Sequence, residues 1–402
     1  MVEAMPATGM EMSFFRDGMD LCSETASIGH PEKTVVGNSS QKMGKGKVLR
    51  KTGIVKDRRY LDHGSEYMQP ESPARLEAIY AMLEAPDMED HFVEIEPRFA
   101  DLNEIALVHD PKHIEQVART ADKAHAYLDA DTETTPESFE TARLAVGGLF
   151  NAIDAVMAGE LDNAFALVRP PGHHARKDGS AGFCLFNNIA LGAMHALNRH
   201  GLKRVLIVDW DLHHGDGTAY TFYKDRRVLY FSTHQYPAYP GTGAVEEIGR
   251  GDGIGYTINV PLRPGAGNEQ YVKIYRSLLQ PVALTFKPEL VLVSAGFDIY
   301  AQDPLGGMRV TSRGFAYLTR ILMNIADACC RGRLVLTLEG GYHIDGQAAS
   351  VKAVLKELRD ETHVSDEELF RIENEADERF TPVEPLINRV IHQIDPLLRA
   401  FT

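Results

Sequence analysis

Apolar runs bounded by polar or glycine-rich junctions alternate with helical periods along most of the chain. Five runs read as strands: Ala164-Phe-Ala-Leu-Val-Arg, Val205-Leu-Ile-Val-Asp-Trp-Asp, Val228-Leu-Tyr-Phe-Ser, Leu290-Val-Leu-Val-Ser-Ala-Gly and Leu334-Val-Leu-Thr-Leu-Glu-Gly-Gly. Runs this continuous, without apolar/polar alternation, suit strands buried on both faces. Between them, helical spacing predicts helices opening at Ser72-Pro73, over 111–130, over 138–158, over 187–199, over 268–286 and over 311–328. Strands alternating with helices predict an α/β domain: a parallel sheet flanked by helices on both faces.

The ends of the chain read differently. Residues 1–50 carry Met, Ser, Gly and Thr without a sustained period of 2 or 3.6, and read as a disordered extension. Residues 357–402 read as an acidic helical tail on the same domain, with ten Asp or Glu against three Arg between 357 and 380. A solvated helix accounts for that charge without a function.

Composition narrows the setting. The 402 residues hold 42 Lys+Arg against 57 Asp+Glu, a net charge of −15. That balance argues against a direct grip on nucleic-acid phosphates, which needs clustered cations. No stretch approaches the roughly 20 apolar residues of a membrane span, and Met1–Asp20 lacks the cationic and apolar regions of a secretory signal. Four cysteines, two of them adjacent at 329 and 330, form no disulfide framework. A cytoplasmic enzyme or binding protein is the expectation.

The unusual polar residues follow the carboxyl ends of the apolar runs, where ligands bind in open parallel sheets. The segment 205–208 leads into Asp209-Trp-Asp-Leu-His-His-Gly-Asp-Gly, 290–296 into Phe297-Asp298, 334–338 into Glu339-Gly-Gly-Tyr342, and 164–168 into Arg169-Pro-Pro-Gly-His173-His174. Asp209, Asp211 and His213 alternate, so an extended chain points them one way. Asp211 and His213 can then grip one metal, with Asp298 the best-placed third ligand and Asp209 behind them. Two carboxylates and one imidazole suit zinc but equally Fe(II), Co(II) or Mn(II). Read alone, such residues would be helix caps and mutual partners; the density of the motif at a strand end weighs against that. His173 and His174, adjacent after Pro-Pro-Gly, suit acid/base work, with Asp209 and Asp216 available to hold the rings. Surface histidines are the bland alternative. Tyr342 after two glycines can donate to an oxyanion, although Gly-Gly-Tyr alone is a weak signal.

Together, Arg169-Pro-Pro-Gly-His-His-Ala, Gly182-Phe-Cys-Leu-Phe-Asn-Asn, Asp209-Trp-Asp-Leu-His-His-Gly-Asp-Gly-Thr, Ala295-Gly-Phe-Asp-Ile-Tyr-Ala-Gln-Asp-Pro-Leu-Gly-Gly and Glu339-Gly-Gly-Tyr resemble the histone deacetylase family, in its class II and bacterial amidohydrolase branch. The likeness implies an arginase-like fold with about eight parallel strands, and a deacetylase domain over 51–356. It implies Asp211, His213 and Asp298 as zinc ligands and His173 and His174 as the catalytic pair, with His174 the general base. Asp209 and Asp216 become their carboxylate partners and Tyr342 the transition-state hydroxyl. Gly182, Phe183, Tyr239 and Leu305 become walls of the substrate slot, Tyr239 standing where Phe is more usual. A structural K+ is implied at Asp209, Asp211, His213, Ser232 and Thr233. A second monovalent site near Phe222, Val228 and Tyr256 is in doubt, because Asp225 departs from the usual Thr.

Three functions follow for comparison. The leading expectation is a zinc-dependent deacetylase of acetyl-lysine in proteins or peptides, with a homo-oligomer compatible but not implied. An acetylpolyamine amidohydrolase is the alternative: Asp129 and Asp131 could meet a substrate NH or ammonium, while Arg263 should repel a polyamine. A non-catalytic acyl-lysine binder is remote, given the intact constellation.

Overall fold

The computed structural model describes residues 49–64, 69–375 and 382–394. The disordered arm expected over 1–50 lies outside them except for Leu49 and Arg50. Arg50 is tied down: its guanidinium reaches Asp327 at 2.6 Å and Asp360 at 3.4 Å.

Eight parallel strands form the central sheet: β1 (Thr52–Val55), β2 (Val93–Ile95), β3 (Asn163–Ala166), β4 (Val205–Asp209), β5 (Val228–Gln235), β6 (Thr257–Leu262), β7 (Leu290–Ala295) and β8 (Leu334–Leu338). Their lateral order is β2-β1-β3-β8-β7-β4-β5-β6. Every residue of β3, β4, β7 and β8 is buried, which is why these segments read as unbroken apolar runs. β1 and β2 are too short to announce themselves, at four and three residues, and β2 is largely exposed.

The order explains how distant motifs meet. β3, β8, β7 and β4 are immediate neighbours, so their carboxyl ends open side by side. Register places Asp209 opposite Ser294 of β7 on one side and Ser232 of β5 on the other. Helices Ser138–Ala158 and Asn188–Arg199 pack on each other and on the sheet, as does Ser312–Cys330, against which Ile344–Leu358 packs in turn. Asn187 caps its helix by accepting from Ala190 N at 3.0 Å, and Thr311 caps another through Gly314 N.

Some helices depart from expectation. The segment expected to run from 111 to 130 is helical only over Pro111–Ala118, continues as a 3-10 turn over Arg119–Asp122, and then enters a two-stranded ladder of Ala126–Tyr127 with Glu133–Thr134. Past Ala118 the sequence offers no apolar stripe to bury, and the Thr120 hydroxyl closes on Val117 O at 2.7 Å. Over 268–286, a π turn at Tyr275–Leu279 interrupts the helix just before Pro281, which lacks the N–H that an ordinary turn would use.

The acidic tail is not a single solvated helix. Its described part forms two helices, Asp366–Glu375 and Glu384–Gln393, which bury Leu369, Ile372, Ile387 and Val390. Glu357, counted among the tail acids, is fully buried at the end of the preceding helix. It receives Arg320 Nε at 2.5 Å and Val364 N at 3.1 Å, while the same guanidinium reaches Asp360 at 2.5 Å. Removing one member of such a pair strands a buried charge, at a cost of about 3–5 kcal/mol. Arg320→Ala should therefore lower the urea midpoint by that equivalent; a change under about 1 kcal/mol would refute the coupling.

Candidate active site

Asp211, His213 and Asp298 lie at the ends of β4 and β7, and their ligand atoms fall within 4.8 Å of one another. His213 Nδ1 stands 3.1 Å from both Asp211 Oδ1 and Asp298 Oδ2. Main-chain donors hold the outward oxygens: Leu212 N on Asp298 Oδ1 at 2.8 Å and Gly340 N on Asp211 Oδ2 at 2.9 Å. Asp298 Oδ2 is buried and, despite its nearness to His213, receives no aligned hydrogen bond. A side chain at Gly340 would fill the space, its Cβ falling 2.6 Å from Asp298 Oδ2 and 2.8 Å from Asp211 Oδ2. Two buried carboxylates facing one gap repel and demand a positive charge. Burial opposes the charging of His213, yet the carboxylates of Asp211 and Asp298 beside it outweigh that and raise it to about 10. Burial and the charge on Asp211 push Asp298 up to about 7. A divalent cation satisfies all three groups at once, so the donor set fits a metal.

His173 and His174 stand beside this cradle, their ring centroids 4.0 Å apart. Each Nδ1 faces its own carboxylate: His173 meets Asp209 Oδ2 at 3.0 Å and His174 meets Asp216 Oδ1 at 2.8 Å. The two relays differ in what completes them. Asp209 also accepts the Tyr230 hydroxyl at 3.0 Å, whereas Asp216 accepts Arg176 Nε at 2.6 Å. Burial disfavours a charge on His173, but Asp211, Asp209 and the Asp209 hydrogen bond outweigh it and hold the ring protonated. Burial, then the charge on His173, push His174 down to about 4 in spite of Asp216. The two rings are thus pushed in opposite directions, His173 toward the charged form and His174 toward the neutral one.

Tyr342 is half-buried, with its hydroxyl 3.1 Å from where a Cβ on Gly340 would stand, so it points at the same gap. Burial keeps the phenol protonated and able to donate. Its segment is pinned from two directions. Asp303 accepts Tyr342 N at 2.7 Å and His343 N at 3.1 Å. Arg75 lies over the ring at 5.1 Å and donates to Gly341 O at 2.7 Å.

His173, His174, His213, Gly340 and Tyr342 line a cleft of about 310 Å³ with Gly182, Phe183, Tyr239, Leu305 and Asp131. Gly182 and Phe183 both have positive φ, 54° and 67°, held by Asp131 Oδ1 on Gly182 N and Thr132 Oγ1 on Phe183 N, each at 3.2 Å. A Cβ on Gly182 would strike His174 Cδ2 at 2.4 Å. Tyr239 meets the His174 ring edge-on at 5.1 Å. Arg263 lines a neighbouring cleft with Glu246 and Arg389 instead. Of the groups assigned to K+, Ser232 and Thr233 turn their hydroxyls to His234 at 2.9 Å and Tyr275 at 3.4 Å. Any cation there would rely on main-chain carbonyls. Asp225 folds onto Arg227 at 2.6 Å.

Several contributors were not singled out from sequence. Glu339 accepts Gly172 N at 2.6 Å, His173 N at 3.1 Å and the Ser294 hydroxyl at 3.0 Å, fixing the loop that carries both histidines. Glu71 joins Arg169, at 2.5 and 2.7 Å, to Arg75 at 3.0 Å. Asp303 is another. Glu339 and Arg169 begin motifs quoted above, which was the available signal; nothing in the spacing of Glu71 marks it.

Residues 69–358 match the model of the histone deacetylase domain. A probable deacetylase of Archaeoglobus fulgidus is 42% identical over 297 residues, 73% of this chain and 82% of the relative. The human polyamine deacetylase HDAC10 is 41% identical over 300 residues, and fission-yeast histone deacetylase clr3 38% over 350. The match spans only 44% and 50% of those two proteins. The crystal structure of the HDA15 HD domain superposes with a TM-score of 0.78 at 36% identity, covering 87% of this chain and 97% of that one. The chain belongs to the histone deacetylase family.

Proposed function

We propose that this chain hydrolyses the acetyl amide of acetyl-lysine in proteins or peptides, using zinc held by Asp211, His213 and Asp298. The observation that carries the reading is the convergence of a buried carboxylate pair in which Asp298 Oδ2 lacks a hydrogen bond, two histidines pushed toward opposite protonation states, and a tyrosine held protonated. When bound, the cation polarises the acetyl carbonyl and acidifies a water; Fe2+, Co2+ or Mn2+ would suit the same donors. A K+ carried by the main chain around Asp209, Asp211, His213, Ser232 and Thr233 belongs to the same reading. The three described cysteines, 184, 329 and 330, are free thiols, which suits a cytoplasmic setting. Among the described residues no helix is long and apolar enough to cross a membrane.

The protein groups divide the work. With His174 Nδ1 committed to Asp216, Nε2 is the nitrogen that takes the proton of the attacking water. Charged His173 keeps its neighbour unprotonated before attack and favours negative charge in the transition state. Tyr342 donates its hydroxyl hydrogen to the developing oxyanion. The proton held on His174 Nε2 then passes to the departing lysine amine. Phe183, Tyr239 and Leu305 wall the aliphatic chain, and Gly182 lets it pass close to the backbone.

An acetylpolyamine substrate is the second reading, favoured by Asp131 in the cleft lining and by Arg263 standing in a different cleft. A turnover panel separates them: acetyl-lysine peptide, acetylspermidine, acetylputrescine and trifluoroacetyl-lysine, with metal-reconstituted protein. The peptide should exceed acetylspermidine in kcat/KM by at least about tenfold, equivalent to ~1.4 kcal/mol. The reverse ranking favours the polyamine reading, and no acetate from any substrate overturns both. Tyr342→Phe should fold, retain metal and lose about 10²–10³ in kcat; near-full turnover would remove Tyr342 from the reaction. Asp298→Ala should purify without the active-site metal, and full occupancy at that site by elemental analysis would refute its place as a ligand.

A further inference from the structure

A second constellation lies outside the cleft. Asp154 belongs to helix Ser138–Ala158, His195 to helix Asn188–Arg199, and His200 caps the latter. Their ligand atoms also fall within 4.8 Å of one another. His195 Nε2 stands 2.8 Å and His200 Nε2 2.6 Å from the same oxygen, Asp154 Oδ1. The deacetylation chemistry proposed above does not use this cluster.

We infer that Asp154, His195 and His200 form a second, peripheral site for a divalent cation of the zinc class, clipping two helices together. Two imidazoles and one carboxylate with an open side are a zinc-type donor set. His195 is nearly buried and stacked flat on Phe150, with ring centroids 4.3 Å apart and planes 8° apart, so its nitrogen is aimed in advance. Asp154 and His200 are partly exposed, at 31% and 21%, which gives an ion access and leaves room for water as the remaining ligand. Arg199 Nε lies 3.4 Å from Asp154 Oδ2, orienting the carboxylate and leaving Oδ1 for the metal. The site also sits where helix Asn188–Arg199 ends and near the end of helix Ser138–Ala158, so the negative ends of both dipoles favour a cation. Ligand atoms about 2.0–2.1 Å from a tetrahedral zinc stand roughly 3.3 Å apart. Entry of the ion therefore needs the two nitrogens to retreat from Asp154 Oδ1 by about 0.5–0.7 Å, within the freedom of side-chain torsions.

The site reaches the catalytic loop through the helix it clips. Asn187, at the opposite end, donates to Ala175 O at 3.1 Å and to His173 O at 3.4 Å. The peripheral ion thus holds the element on which the histidine loop rests, without touching substrate.

Chelator-stripped full chain is titrated with Zn2+ against a chromophoric chelator. Wild type should take up two equivalents. Asp298→Ala should keep one, which isolates the peripheral site from the active-site assignment. His200→Ala and Asp154→Asn should also keep one, with acetate release retained. In either variant the peripheral affinity should fall by more than the roughly 10–100-fold that loss of an outer partner costs. In the Asp298→Ala background, zinc should raise the thermal midpoint, and His200→Ala should abolish that rise. One equivalent in wild type, lost on Asp298→Ala, overturns the inference, as do two equivalents persisting in both His200→Ala and Asp154→Asn.

Discussion

Two carboxylates, Asp211 and Asp298, are buried face to face with only a neighbouring imidazole between them, and that repulsion organises the structure around it. Like charges in a low-dielectric interior are tolerable only where a cation joins them or a proton is kept. Every nearby feature serves one of those ends. Main-chain donors from Leu212, His213 and Gly340 hold three of the four oxygens and leave Asp298 Oδ2 facing the gap. Gly340 has no side chain where a methyl would occupy the cation's space. The parallel sheet supplies the rest, because β4, β7 and β8 are neighbours and deliver Asp211, Asp298 and Gly340 to one point.

The same charge distribution explains why two adjacent histidines differ. His173 is drawn into the negative field of Asp209 and Asp211, whereas His174 lies one step outward with Asp216, whose charge Arg176 shares. Neighbouring imidazoles of equal exposure would resist a double charge; here the asymmetry raises His173 and lowers His174. Asp303, Glu339 and the Glu71–Arg75–Arg169 cluster do no chemistry, but they hold the segments carrying Tyr342 and the histidine pair. The catalytic geometry therefore depends on buried polar contacts as much as on the apolar core.

Much of this was legible in the sequence, for identifiable reasons. Strands buried on both faces must be continuous apolar runs, and a strand end must hand over to its loop abruptly, so the polar motifs after Val208, Ala295 and Leu338 stood out. Alternation paired Asp211 with His213, but the strand ends at Asp209 and a bend over 211–213 carries both to the gap. What was not legible depends on tertiary partners. Glu71 and Arg75 look like ordinary charged residues until Arg169, 98 positions from Glu71, closes on them. Asp131 read as a group to meet substrate or solvent, yet it holds Gly182 N. Glu357 read as part of a solvated acidic stretch because its partner Arg320 sits on another helix. The helix expected to reach residue 130 stopped at Ala118, since composition alone does not show where a buried face ends.

The measurement that bears most directly on the account is anomalous diffraction at the zinc edge from crystals of active, metal-reconstituted protein. The account predicts a peak between Asp211, His213 and Asp298, on the side faced by Tyr342 and the histidine pair. An active enzyme with no anomalous density among those three residues would contradict it.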